Sequence, residues 1–297
     1  MITSLITLEN KISTPFFEHP KSRSTVLEIS RASAGDRTGP DDVKKNAIDT
    51  VVTAFVALDI LSSASTRSPS LLRADHKHWL SNRSVKMHHV IGCDVSVMLL
   101  ISQISGLEEW KKGCEVRGRL SIMELSSRTG CIETLLEDII SANLLKAQAA
   151  IPSLKVRYPT GIPAPDTSEL NNRLFSTVFA LAAITYLHVV VSGAHPELNE
   201  IQQSVSRTIL LMKSLPDPRL LSYVVWPFCI TGCLAAKELE NELRGLAKSA
   251  GVSKMGLGGL WKSLKIMEDC WKARDQNKGS QDWTAAMSRL GDKVLLY

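Results

Sequence analysis

The 297-residue chain contains no Cys-x-x-Cys pair, no Gly-x-Ser-x-Gly turn, no Gly-x-x-x-x-Gly-Lys-Ser/Thr loop and no His-Glu-x-x-His helix. Each absence removes a chemistry: a paired-cysteine zinc cluster, a serine-hydrolase elbow, a phosphate-cradling turn and a zinc-protease helix. Aromatic residues make up only 5% of the chain. There is no block of like charges, and the period-two alternation of strands is nearly missing. The start, Met1 to Glu9, lacks the basic residues, long apolar centre and small-residue cleavage site of an export signal. Six cysteines stand singly, without a short-range framework. That pattern fits reduced thiols in a cytosolic or nuclear compartment.

What is present is helical. A content of 44% apolar and 22% charged residues describes an ordinary globular chain. The net charge of +5 is scattered, whereas phosphate binding needs a clustered stripe. Residues 1–40 mix Ser, Thr, Pro, Gly and charges without a period and predict a flexible leader; residues 41–297 predict a helical body. Val43, Ala47, Ile48, Val51, Val52, Phe55, Leu58 and Leu61 recur at the spacing of one helical face, with Pro40 and Asp41 where a helix would start. A second helix is expected from Met87 to Ser102, and one or two more between Trp110 and Ala150. Pro159, Gly161, Pro163 and Pro165 forbid a helix across residues 156–167, so a long loop is expected there.

From Ser168 to Leu187 the pattern is apolar nearly all round, which marks a central helix. Its longest apolar run, Val178 to Val191, includes Thr185 and His188 and falls short of the roughly 20 residues of a bilayer span, so no membrane contact is expected. An amphipathic helix from Glu197 to Lys213 and a turn at Leu215-Pro216-Asp217-Pro218 follow. One helix is then expected from Leu220 through Glu240, and two last ones over Leu257–Arg274 and Gln281–Leu290. The predicted fold class is all-α, a multi-helix array with short connections and a loose N-terminal leader.

Candidate sites dissolve on inspection. Cys229 and Cys233 share a helix face but have no second pair or histidine nearby, so both are expected to pack as small apolar side chains. Gly232, inside the same helix, predicts close approach of a neighbouring helix. His76, His78, His88 and His89 cluster without the i, i+4 spacing of a zinc-binding helix. Asp41 and Asp42 suit a helix start rather than a magnesium site. Gly256, Gly258 and Gly259 follow no strand and read as a connection. Trp226, Trp261, Trp271 and Trp283 are expected at helix seams; an effector cavity, if there is one, belongs among them. No catalytic, cofactor-binding or metal residue is therefore expected, no cofactor is assigned, and the chain is not expected to be an enzyme.

The last third carries an ordered set of motifs: Trp226-Pro227, Gly232-Cys233, Trp271 to Arg274, Trp283 to Met287 and Leu295-Leu296. This set resembles the C-terminal regulatory region of fungal-specific transcription factors. The resemblance extends back through Val178–Leu187 to His89-Val90-Ile91-Gly92-Cys93 and covers most of residues 41–297. It implies a nuclear regulator of transcription, often of a metabolic or secondary-metabolite pathway. Members of the family normally read DNA through an N-terminal cluster of six cysteines around two zinc ions. The cysteines here, Cys93, Cys114, Cys131, Cys229, Cys233 and Cys270, do not form it. DNA contact is thus expected only indirectly or through a zinc cluster missing from this sequence. The partners implied are a protein partner or a homo- or hetero-dimer, with a small-molecule effector as a further option. A helical partner that dimerises with a complete zinc-cluster factor and restrains it is the alternative; a helical enzyme or carrier has no residue support.

Overall fold

Prolines and glycines, not strand turns, punctuate this chain, and they become the corners of a helical array. The computed structural model describes residues 39–72, 76–81, 87–154, 168–252, 258–276 and 282–291. Among these residues are eleven α-helices, two 3-10 helices and no strand, as the all-α reading expects. In chain order they are α1 (Gly39–Thr66), α2 (His76–Ser81), α3 (His88–Ile91), α4 (Val95–Val116), α5 (Ile122–Leu154), α6 (Ser168–Ser192) and α7 (Asn199–Lys213). A 3-10 turn (Pro218–Tyr223) leads to α8 (Val225–Cys233), and another (Lys237–Leu239) to α9 (Glu240–Ser249), α10 (Gly259–Asp275) and α11 (Trp283–Leu290). The chain divides into two compact units, Met1–Lys45 and Asn46–Tyr297. Of the leader expected over residues 1–40, Gly39 and Pro40 open α1 and the rest lies outside the described residues, as does the loop expected over 156–167.

The centre is α6, whose side chains are buried without a break from Phe175 to Leu187. Helices α4, α5, α7 and α8 pack around it, and α10 lies on α8 with α11 against its own flank. Two helices, Lys44–Thr66 and Ser168–Ser192, are long and apolar enough to cross a bilayer by length and composition. The apolar run Val178–Val191 lies within the 25-residue α6, as the central-helix reading expects. In α6, 83% of the apolar window is buried inside the array, so its length serves the core.

Three helices differ from their sequence pattern. The helix expected over 87–102 is interrupted at Gly92, where the backbone has φ +71° and the Phe175 ring lies against the position a Cβ would take. Only glycine meets both demands. The helix expected over 220–240 is cut into a 3-10 turn, α8 and a second 3-10 turn, and α9 was not anticipated. The cause is tertiary: side chains of α10 capture the carbonyls at the end of α8. In α1 the buried face is Thr53, Val56, Ala57, Ile60, Leu61 and Ala64, whereas Ile48, Val51 and Phe55 of the expected stripe are exposed.

Candidate functional site

The motif residues Trp226, Gly232, Cys233, Trp271 and Arg274 lie along the packed pair α8 and α10, while Leu295-Leu296 fall outside the described residues. Trp226 lies in the first turn of α8, where Pro227 is tolerated because its missing N–H has no helical acceptor. Its indole is fully buried, stacked on Phe179 at 6.1 Å and edge-on to Tyr186 at 6.3 Å. Among the described residues the Trp226 Nε1 hydrogen finds no acceptor. At the far end of α8, Trp271 Nε1 donates to the Gly232 carbonyl at 2.8 Å. Arg274 donates to the Cys233 carbonyl at 2.6 Å and to that of Ala235 at 2.7 Å. A helix leaves its last carbonyls unpaired, and α10 supplies the donors with an indole and a guanidinium three residues apart. Gly232 allows this approach: a Cβ there would fall 2.2 Å from the Met267 methyl. Expected close helix contact at Gly232 is thus observed.

The thiols of α8 share the seam. Cys229, Cys233 and Cys270 are all buried, and the Cys233 thiol is pushed well up by burial, then by hydrogen bonds with Cys229 and Cys270. The pair expected from the sequence therefore gains a third member from α10. Among the described residues no group of three His, Cys, Asp or Glu side chains is placed to hold a metal ion. Trp261 departs from the expected seam position: it is half-exposed, with Lys265 Nζ 3.9 Å from its ring centre.

A second constellation gathers around Arg67, which the sequence reading missed. Arg67 ends α1 in the left-handed region, φ +52°, the only such non-glycine among the described residues. Its Nε donates to Glu108 at 2.6 Å and its Nη1 to Asp282 at 2.7 Å. The other Glu108 oxygen, Oε2, accepts from the Tyr186 hydroxyl at 2.8 Å, while Lys112 Nζ lies 3.0 Å from Oε1, the oxygen that Arg67 holds. Burial works to lower the Arg67 pKa, but the charges of Glu108 and Asp282 outweigh it and raise it. Burial first, then the Glu108 charge, pushes the Tyr186 hydroxyl well above its ordinary range. Trp283 completes the group: it is fully buried, edge-on to Tyr186 at 6.0 Å, and donates to the Ser65 carbonyl at 2.9 Å. Asp282 also caps α11 through the Ala285 amide. The hub thus ties the end of α1, α4, α6 and the closing helix. Its sequence signal was Glu108 on the apolar face of Ile104 and Leu107.

A third group uses one of the four histidines. Buried His76 bridges Asp59 (Nε2 to Oδ2, 2.8 Å) and Ser102 (Nδ1 to Oγ, 2.7 Å). Asp59 also accepts the amides of Leu71 and Leu72. Burial works to raise the Asp59 pKa; the His76 bond and the two amides prevail and hold it below the ordinary value. The order of residues is that of an acid, a base and a nucleophile. However, Ser102 lies in the interior of α4, where backbone amides are bonded along the helix and none remains for an oxyanion. The group pins the 67–72 turn to α1 and ties α2 to both α1 and α4. His78 is exposed and meets Trp79 edge-on, while His88 and His89 form the first turn of α3. Asp41 and Asp42 fall in the first turn of α1, and Gly258 precedes α10 as its N-cap.

Comparison with known proteins agrees with this geometry of interlocked motifs. The chain is 35% identical over 214 residues to the trichothecene biosynthesis transcription regulator TRI10 of Trichoderma arundinaceum, covering 71% of this chain and 45% of that protein. It is 29% identical over 290 residues to the protein of the same name from Fusarium sporotrichioides, covering 96% of this chain and 64% of the relative. The ustiloxin B cluster transcription factor ustR of Aspergillus flavus is 31% identical over 215 residues, 69% of this chain and 35% of that one. The chain thus spans about half the length of the first two of these relatives, 45% and 64%. No solved structure matches it. Residues 21–297 match the model of the fungal specific transcription factor domain, and the chain belongs to that family.

Proposed function

We propose that this chain is the regulatory body of a nuclear transcription regulator that controls genes of a secondary-metabolite pathway, without catalysing a reaction. The observation that carries the reading is the family match over residues 21–297, together with relatives named as regulators of trichothecene and ustiloxin clusters. The geometry is consistent with it. The motif tryptophans, Gly232 and Arg274 spend their chemistry on neighbouring helices, which suits a body that holds a shape and presents surfaces. Such a body acts through a protein partner, and reaches DNA through a segment or partner outside these 297 residues. If an effector binds, the buried Trp226 N–H beside Phe179 and Tyr186 is the polar group it would address.

Tethering tests the reading. Fused to an unrelated DNA-binding domain upstream of a reporter, the chain should change reporter output several-fold; an inert fusion that is folded and nuclear would contradict it. A second reading, restraint of a complete zinc-cluster factor by pairing, is favoured by the absence of any Cys-x-x-Cys pair from the sequence. Mapping the 5′ end of the transcript separates the two. An upstream exon encoding the cysteine cluster would sink the restraint reading.

A further inference from the structure

The turn between α4 and α5 is unlike the rest of the surface. Val116, Ile122 and Met123 stand 88%, 69% and 85% exposed there, and Leu120 is half-buried. Three large apolar side chains stand exposed within eight residues of one turn, a denser exposure than the scattered single residues common on protein surfaces. Gly118, with φ +63°, makes the tight corner that holds them at one tip.

The charges around the tip are one-sided. Its two carboxylates are already engaged by cations of their own helices, Glu115 with Lys111 at 3.6 Å and Glu124 with Arg128 at 2.6 Å. Arg117 and Arg119 are exposed and pair with no carboxylate among the described residues; the Arg117 guanidinium donates to the Cys114 sulfur at 3.7 Å. With Glu115 and Glu124 each matched by a cation of its own helix, Arg117 and Arg119 stand as two positive charges at the tip. The first turn of α5, with Ser121 Oγ capping the Glu124 amide, adds the positive end of a 33-residue helix on the same side.

We propose that this knuckle is a docking point for an acidic, apolar-rich segment of a protein partner. Aspartates or glutamates of that segment pair with Arg117 and Arg119, and its leucine or phenylalanine side chains cover Val116, Ile122 and Met123. The flexible thioether of Met123 adapts to more than one apolar shape. The proposal rests on the reading that the chain works through a protein partner and names the chemistry of that partner.

The test is a titration of the full chain with a fluorescein-labelled peptide of about 18 residues, with Leu or Phe at three- and four-residue spacing and Asp or Glu between them, long enough for a helix of five turns. Binding should weaken at least tenfold in Arg117→Glu/Arg119→Glu and in Ile122→Ser/Met123→Ser, and also as salt is raised. Both double variants should melt like the parent, because the altered side chains are exposed. Equal binding by parent and variants would overturn the proposal, as would equal binding of the Asn/Gln version of the peptide or no binding at all. Displacement of the peptide by phosphatidylserine vesicles would also overturn it, by assigning the knuckle to a lipid surface. Because the readout is physical binding, its failure leaves the tethered-reporter result untouched, and a silent reporter leaves this one untouched.

Discussion

Trp226 has the largest single burial at the seam, and its replacement exposes what the motif is for. Trp226→Ala should destabilise the chain by about 3–5 kcal/mol, the cost of emptying a packed aromatic site, read as a fall in melting temperature; a soluble variant with unchanged melting would contradict the packing role. Arg67 is subtler, because its guanidinium serves two carboxylates that are almost fully buried, Glu108 and Asp282 at 5% and 9% exposure. Removing one partner of such a group leaves a buried charge uncompensated. Arg67→Met should cost roughly 3 kcal/mol, the lower end for a broken buried pair, since the arginine itself keeps some contact with water. Adding Glu108→Gln to it should recover part of that loss in denaturant melts. Asp59 makes the pH prediction: its folded pKa is held below the unfolded value of about 3.9. Its contribution is therefore complete above about pH 4 and is lost as pH falls through the depressed folded value. Asp59→Asn should flatten the acid limb of the stability curve there, while a parallel curve would show the pin to be silent.

At the scale of the element, α8 and α10 act as one unit because the donors of one close the carbonyl end of the other. Arg274→Ala leaves the Cys233 and Ala235 carbonyls without their donor, and about 1–3 kcal/mol is expected to go with it. Amide exchange should quicken in α8 before it does in α6; uniform quickening would argue against a local seam. Gly232→Ala forces the buried Met267 side chain to move, and a net loss of about 1–3 kcal/mol from overpacking outweighs the usual helix gain from alanine. Element boundaries show where the sequence was legible. Helix α6 was readable because every face of it is apolar, and the corner at Gly193 because glycine takes φ +87° there. The division of residues 220–249 was not, since what ends α8 is a pair of side chains some forty residues away. The face of α1 was misjudged because apolar spacing defines a stripe without saying which part of it finds a neighbour. Arg67, Glu108 and Asp282 stayed hidden for a related reason: 41 and 215 residues separate Arg67 from its two partners, and no local pattern reports such a meeting.

Over the whole molecule, the same motifs that identify the family also close the array: Trp283 docks α11 under the end of α1, and Trp271 with Arg274 locks α10 to α8. The family was legible in the order of these motifs, while their role as fasteners emerged only with the fold. A body fastened in this way suits the proposed regulation through surfaces, and on that reading its effect must appear in transcript levels. The most direct measurement is the transcriptome of a strain lacking this gene against its parent, under conditions that induce secondary metabolism. The account predicts a coherent set of genes changing together, neighbours in one biosynthetic pathway among them, with recovery on restoring the gene. Unchanged transcripts across inducing conditions would contradict the regulatory reading at its centre.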